Sequence, residues 1–145
     1  VSIFMQGCQF HCKNCFNPET WDFEGGKEFT DDTVNKVLDL CDRDEIKGLS
    51  ILGGEPMNPL NIEGTTKLAK AFKEKYPNKN LWVWSGYNFE KDLKDKEVLS
   101  YVDVLVDGTY HDELHSPILK WKGSSNQRVI DIPKSLKEHE TVILE

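Results

Sequence analysis

Long apolar runs are missing from this chain of 145 residues. None approaches the roughly 20 residues that a membrane-spanning helix needs, which excludes a helical integral membrane protein and gives no membrane partner. Basic charge is in deficit as well: 18 Lys and Arg stand against 25 Asp and Glu, a net charge of −7. A chain of that sign is poorly suited to gripping a phosphate backbone, so no direct nucleic-acid partner is expected. There is no charged-then-apolar leader, and a cytoplasmic location is the expectation. The sequence begins at Val1, without Met and already inside a strand pattern, so some N-terminal residues are expected to be missing. Repeats, low-complexity tracts and dividing linkers are absent too. What remains is a single domain over residues 1–145, 38% hydrophobic and 30% charged. A domain of this size buries roughly two-thirds of the surface its unfolded chain exposes.

Cysteines are few and unevenly placed: Cys8, Cys12, Cys15 and Cys41. A C-x3-C-x2-C run closes no useful loop, so it is not a disulfide framework, and a core of this size needs no staples. Clustered thiols in a reducing compartment converge on a metal or are redox active. Three readings stay open on spacing alone. Three thiolates hold three irons of a cubane cluster and leave the fourth iron open, where electron-transfer clusters have four cysteine ligands. Structural zinc would need His11 or Cys41 as fourth ligand. The third reading is reactive or incidental thiols. His11 adjoins Cys12, which makes joint tetrahedral coordination awkward, and Cys41 falls on the apolar stripe of a helix, where a small buried thiol is the default.

Hydrophobic patterning alternates strands and helices. Val1–Met5 reads as a strand running into the cysteine segment, and the polar stretch Asn17–Phe29 follows with a turn at Gly25-Gly26. Asp31 and Asp32 open a helix whose stripe is Val34, Val37, Leu38 and Cys41. Leu49–Leu52 is a strand, Asn61–Tyr76 a helix ending before Pro77, and Leu81–Trp84 a strand with Trp82 and Trp84 as core on both faces. A charge-rich helical stretch covers Phe89–Leu99, and Val102–Val106 is the next strand. Val129–Ile132 and Val142–Leu144 are further strand candidates around a short helix at Pro133–Lys137. This order calls for an α/β fold with a mainly parallel sheet. The chain is too short for a closed eight-stranded barrel of about 250 residues, so the expected form is a partial, open β/α barrel.

Ligand chemistry in such folds collects at the carboxyl ends of strands. Those ends carry the three clustered cysteines, then Gly53-Gly54-Glu55-Pro56, then Ser85-Gly86-Tyr87, then Asp107-Gly108. Paired glycines let a ligand approach backbone N–H groups, and Glu55 brings a carboxylate; a tight strand-to-helix turn explains the same residues. Ser85-Gly86 and Asp107-Gly108 are equally readable as ordinary turns. His111, His115 and His139 read as exposed histidines. Trp121 is a candidate cover for the site mouth. Asn126, Gln127 and Arg128 form a polar cluster, read either as a partner contact or as a hydrogen-bonded loop.

The cysteine run and the Gly53-Gly54-Glu55-Pro56 turn resemble those of the radical S-adenosylmethionine (SAM) enzymes. Trp82–Tyr87, Val104–Gly108, Lys122–Gln127, Cys15-Phe16-Asn17 and Thr20-Trp21 narrow the resemblance, over nearly the whole chain, to the activases of anaerobic ribonucleoside-triphosphate reductase. Two departures stand out: Asn14 occupies a position where many radical SAM proteins have an aromatic residue, and the family's glycine-proline-glycine segment upstream of the first strand is absent.

The resemblance implies a radical SAM type partial barrel. It implies a 4Fe-4S cluster on Cys8, Cys12 and Cys15, whose open iron binds the amino and carboxylate groups of SAM. Gly53, Gly54 and Glu55 would hold the methionine end, Asn14, Cys15 and Phe16 would line the pocket beside the cluster, and Ser85 and Asp107 would reach the ribose. No catalytic side chain is implied beyond the cluster and SAM. An electron from reduced flavodoxin or ferredoxin would cleave SAM to methionine and a 5′-deoxyadenosyl radical, which takes a Cα hydrogen from a glycine of the reductase. The alternatives are a zinc-stabilised binding module without catalysis and a radical SAM enzyme with a small-molecule substrate, against which the resemblance at Trp121–Arg128 argues.

Overall fold

The computed structural model describes residues 1–6, 8, 10, 29–116, 118–119, 121–122 and 124–144. Its strands are β1 (Ser2–Met5), β2 (Gly48–Gly53), β3 (Asn80–Trp84), β4 (Val104–Asp107) and β5 (Arg128–Asp131). They lie side by side in sequence order; β1 to β4 are parallel, and β5 returns antiparallel to β4. The expected mainly parallel open sheet is therefore present, with one antiparallel edge. Parallel neighbours need long crossovers, and the intervening helices supply them.

Helix α1 (Asp31–Leu40) starts at Thr30, whose hydroxyl accepts from the Thr33 N–H while the Thr33 hydroxyl accepts from the Thr30 N–H. Asp31 and Asp32 face the positive end of the helix dipole. Val34, Val37 and Leu38 are buried, and Cys41 follows at the helix end as part of the core. Helix α2 (Ile62–Lys75) buries Thr65, Leu68, Ala69 and Phe72 and ends before Pro77 with Lys73 and Lys75 in its last turn. Helix α3 (Ile132–Glu138) is capped by the Asp131 carboxylate, which accepts from the Lys134 N–H.

The stretch Phe89–Leu99 is not one helix. A π-helical turn at Phe89–Leu93 and a 3₁₀ turn at Glu97–Tyr101 replace it. The reason lies in angular spacing. Phe89 and Val98 are nine residues apart, which places them on opposite sides of a continuous helix at about 100° per residue. The break brings Phe89, Leu93, Val98 and Leu99 into the core together. Val142–Leu144 likewise makes only an isolated bridge, Ile143 opposite Ile130, held by two backbone hydrogen bonds.

Alternation along the strands divides the residues between two faces. Leu49, Ile51, Leu81, Val83, Leu105 and Ile130 join α1 and α2 in the main core. On the other face Trp82 and Trp84 are only half-buried, against Val104, Val106 and Val129. The expectation that both tryptophans are core therefore needs correction, because that face has no covering helix among the described residues. Trp121 packs edge-on against Trp82 at 5.3 Å, and its carbonyl accepts from Trp84 Nε1 at 2.7 Å. It covers the middle of this face rather than the strand ends where the candidate site lies.

Phe72 is fully buried between α2 and the sheet. Phe72→Ala should lower stability by about 3–5 kcal/mol in urea denaturation. A loss below about 1 kcal/mol would mean that the core closes around the deleted ring.

Candidate iron–sulfur and cofactor site

The end of β2 is welded to the end of β1. Gly53 has φ +115, and a Cβ there would lie 2.6 Å from the Met5 nitrogen and 2.7 Å from its oxygen, so only glycine fits. The Gly54 N–H donates to the Met5 carbonyl at 2.8 Å. Beyond the glycines, α2 holds the turn. Asn61 Nδ2 donates to the Glu55 carbonyl at 3.0 Å, and the buried Thr65 hydroxyl donates to the Pro56 carbonyl at 2.8 Å.

The Glu55 side chain is 2% exposed and turns inward. Its Oε2 accepts from the Ser85 hydroxyl at 2.6 Å and the Met57 N–H at 3.0 Å, while Oε1 accepts from the Gly86 N–H at 2.6 Å. Burial pushes its carboxyl up to about 7, against the pull of those three hydrogen bonds, which favour the charged form. The sequence placed Glu55 and Ser85 at separate strand ends; the structure joins them directly. The Ser85 hydroxyl also accepts from the Tyr87 N–H at 3.1 Å, and the Thr109 hydroxyl donates to the Gly86 carbonyl at 2.9 Å.

Cys8 is buried three residues beyond β1 and forms no disulfide. Phe10 reaches the end of β3, where its ring lies over Gly86 and meets Tyr87 edge-on at 5.1 Å. A soft sulfur donor just beyond the end of β1, as Cys8 is, suits an iron–sulfur cluster. Cys12, Asn14, Cys15 and Phe16 lie outside the described residues, as does His11. Cys41 sits at the other end of the molecule: its carbonyl accepts from Lys79, which immediately precedes β3. The length of β3, about 15 Å, separates it from the Cys8 edge, too far to share one zinc ion. Burial raises the Cys41 thiol above its ordinary value, as befits a core residue.

Asp107 is 1% exposed, and its oxygens are occupied. Oδ2 accepts from the Phe89 N–H at 2.8 Å and from Arg128 Nη2 at 2.5 Å; Oδ1 accepts from Arg128 Nε at 3.0 Å. Arg128 also grips both oxygens of Glu90, at 2.7 and 2.9 Å, and holds that carboxyl down at about 2. The polar cluster is a hydrogen-bonded loop: Asn126 Nδ2 donates to the Thr109 carbonyl and Gln127 Nε2 to the Gly108 carbonyl. His111, His115 and His139 are exposed. Sequence reasoning missed Phe10 and Thr109. Their partner, Gly86, lies far away along the chain, and no local pattern announces either contact.

The folded protein keeps the Glu55 proton up to about pH 7, whereas an unperturbed carboxyl releases it near 4.5. Between those values the folded state binds more protons, so stability falls as pH rises through the interval. Urea midpoints of the wild type should drop across it, and Glu55→Gln should flatten the profile; parallel profiles would refute the assignment. Arg128→Ala should cost about 3 kcal/mol in urea unfolding, because it strips a buried carboxylate of its charge partner. A change of a few tenths would show that the Phe89 N–H alone satisfies Asp107.

Residues 1–130 match the family described as a 4Fe-4S single cluster domain. The anaerobic ribonucleoside-triphosphate reductase-activating protein of Enterobacteria phage T4 is 40% identical over 129 residues, which span 89% of this chain and 81% of the relative. That of Vibrio cholerae is 40% identical over 129 residues, 87% of this chain and 83% of its own. That of Escherichia coli strain K12 is 34% identical over 131 residues, 88% and 85% respectively. No solved structure matches at a significant level. With a buried thiol three residues beyond β1 and a glycine-glycine-acid turn at the end of the neighbouring β2, the chain belongs to the 4Fe-4S single cluster domain family and, within it, to the anaerobic ribonucleoside-triphosphate reductase-activating proteins.

Proposed function

We propose that this chain is a glycyl-radical activase: a single radical SAM domain over residues 1–145, with its sheet forming one side of an open barrel. Its protein substrate is an anaerobic ribonucleoside-triphosphate reductase. Cys8, Cys12 and Cys15 hold a 4Fe-4S cluster, and Asn14 and Phe16 line the pocket beside it. Gly53, Gly54 and Glu55 receive the methionine end of SAM, and Ser85 and Asp107 flank the ribose side. Bound to these residues, the cluster would supply the one-electron chemistry by which SAM is cleaved reductively and a Cα hydrogen is removed from one reductase glycine. The electron comes from reduced flavodoxin or ferredoxin in the cytoplasm.

The observation that supports this reading best is the convergence of Cys8, Gly53–Glu55 and Ser85-Gly86 on one edge of the sheet. The protein's part is positional. The weld at Gly53 and Gly54 fixes the turn against the residue that leads into the cysteines. Glu55, with both oxygens engaged, serves that turn as a brace. Asp107 holds the β4 end through Arg128 and the Phe89 N–H. The face bearing Phe4, Trp82 and Trp84 has no helix over it among the described residues, and a segment of the reductase closes the mouth of the open half-barrel.

Anaerobically purified protein should contain about four irons per chain with matching sulfide. The paramagnetic resonance spectrum of the reduced protein should change on adding SAM. Cys8→Ala, Cys12→Ala and Cys15→Ala should each lose the iron, while Cys41→Ala retains it. One zinc per chain and no response to SAM would replace this function with a zinc-stabilised binding module.

A further inference from the structure

Glycine at position 86 is not required by its backbone. The positive-φ glycines among the described residues are Gly53 and Gly108, so Gly86 occupies a conformation open to any residue. What excludes a side chain there is an aromatic ring from elsewhere in the chain. A Cβ on Gly86 would lie 2.7 Å from Phe10 Cε2, 2.8 Å from Cδ2 and 3.2 Å from Cζ. Real Cβ atoms essentially never approach a neighbour that closely, so one partner would have to move.

Gly86 is the partner least able to move. Its N–H is held by Glu55 Oε1 at 2.6 Å, and its carbonyl by the Thr109 hydroxyl at 2.9 Å. The residues around it are pinned as well. The Ser85 N–H donates to the Val106 carbonyl at 2.9 Å, and the Tyr87 carbonyl accepts from the Gly108 N–H at 3.1 Å. Phe10 is therefore the side that would have to give way, and it stands midway between Cys8 and Cys12 in sequence.

We infer that the bare Cα of Gly86 is the seat of the Phe10 ring, and that this contact governs the placement of the two cysteines that flank Phe10 in sequence, Cys8 and Cys12. Glu55 acts through Gly86 as a positioning residue for cysteines it does not touch. The chain of contact runs from the Glu55 carboxylate to the Gly86 N–H and from the Gly86 Cα to the Phe10 ring, and in sequence Phe10 is two residues from Cys8 and two from Cys12. Tyr87 bounds the ring edge-on and fixes its tilt. A methyl group at position 86 has nowhere to go except into the ring. It therefore shifts the thiols without disturbing the sheet or its core.

This inference rests on the cluster reading above, and the experiment separates the two. Wild type, Gly86→Ala, Phe10→Ala and Gly86→Ala/Phe10→Leu are reconstituted anaerobically with iron and sulfide. Iron content, the resonance spectrum of the reduced protein with and without SAM, and the urea midpoint of the cluster-free form are then compared. The expected result is loss of most of the iron, or a shifted spectrum, in Gly86→Ala at an unchanged urea midpoint. Phe10→Ala, which leaves the braced strand ends untouched, should show the same loss. The double variant should recover iron relative to Gly86→Ala, because the smaller leucine makes room for the new methyl. A merely structural role for Gly86 would move the midpoint and gain nothing from the second substitution. Wild-type behaviour of Gly86→Ala, or a double variant no better than the single, overturns the inference. A wild type that binds no iron overturns the cluster reading itself.

Discussion

The carboxylate of Glu55 is the point on which the site end of this molecule depends. It is almost completely buried, yet it accepts from Met57 in its own turn and from Ser85 and Gly86 at the end of the neighbouring strand. Burying a charge costs several kcal/mol unless hydrogen bonds replace its water. Here two backbone N–H groups and one hydroxyl replace it in part, and the raised affinity for a proton shows that the compensation is incomplete. The strand ends on either side have little freedom to move apart, since separation would leave three polar partners of a buried carboxyl unsatisfied.

Other contacts extend that constraint along the sheet edge. Gly53 and Gly54 tie the same turn to Met5, which leads directly into the cysteine segment. Thr109 ties Gly86 to the segment after β4, and Asn126 and Gln127 support that segment from the loop before β5. Asp107, Arg128 and Glu90 repeat the scheme at the far edge, where a buried carboxylate is matched by a guanidinium rather than by neutral donors. The difference in partner explains the opposite proton affinities of Glu55 and Glu90. Burial dominates the first, and a charge-assisted hydrogen bond dominates the second.

Much of the fold was legible because its signals are local. The stripe Val34, Val37, Leu38 and the run Leu49–Leu52 follow helical and strand periods, which depend only on nearby residues. Reading failed where tertiary packing overrode the period. The Phe89–Leu99 stretch is charge-rich and helical in pattern, but no single helix can present Phe89 and Val98 to one core. Trp82 and Trp84 looked like core because tryptophan is apolar; their half-burial depends on which face of the sheet has helices over it.

For the site, the sequence by itself determined which chemical groups stand at the strand ends: thiols, paired glycines, a carboxylate, a hydroxyl. Strand ends are local features, and parallel topology sends all of them to one edge. Tertiary structure alone decided which groups face each other. Glu55 and Ser85 are thirty residues apart and hydrogen-bonded. Phe10 lies over Gly86 although nothing near either residue implies it. Asp107 is committed to Arg128 across an antiparallel pair whose register places the two directly opposite. Such contacts depend on the distance between strands and the direction of side chains in the folded sheet. Neither is encoded in any short stretch of the chain.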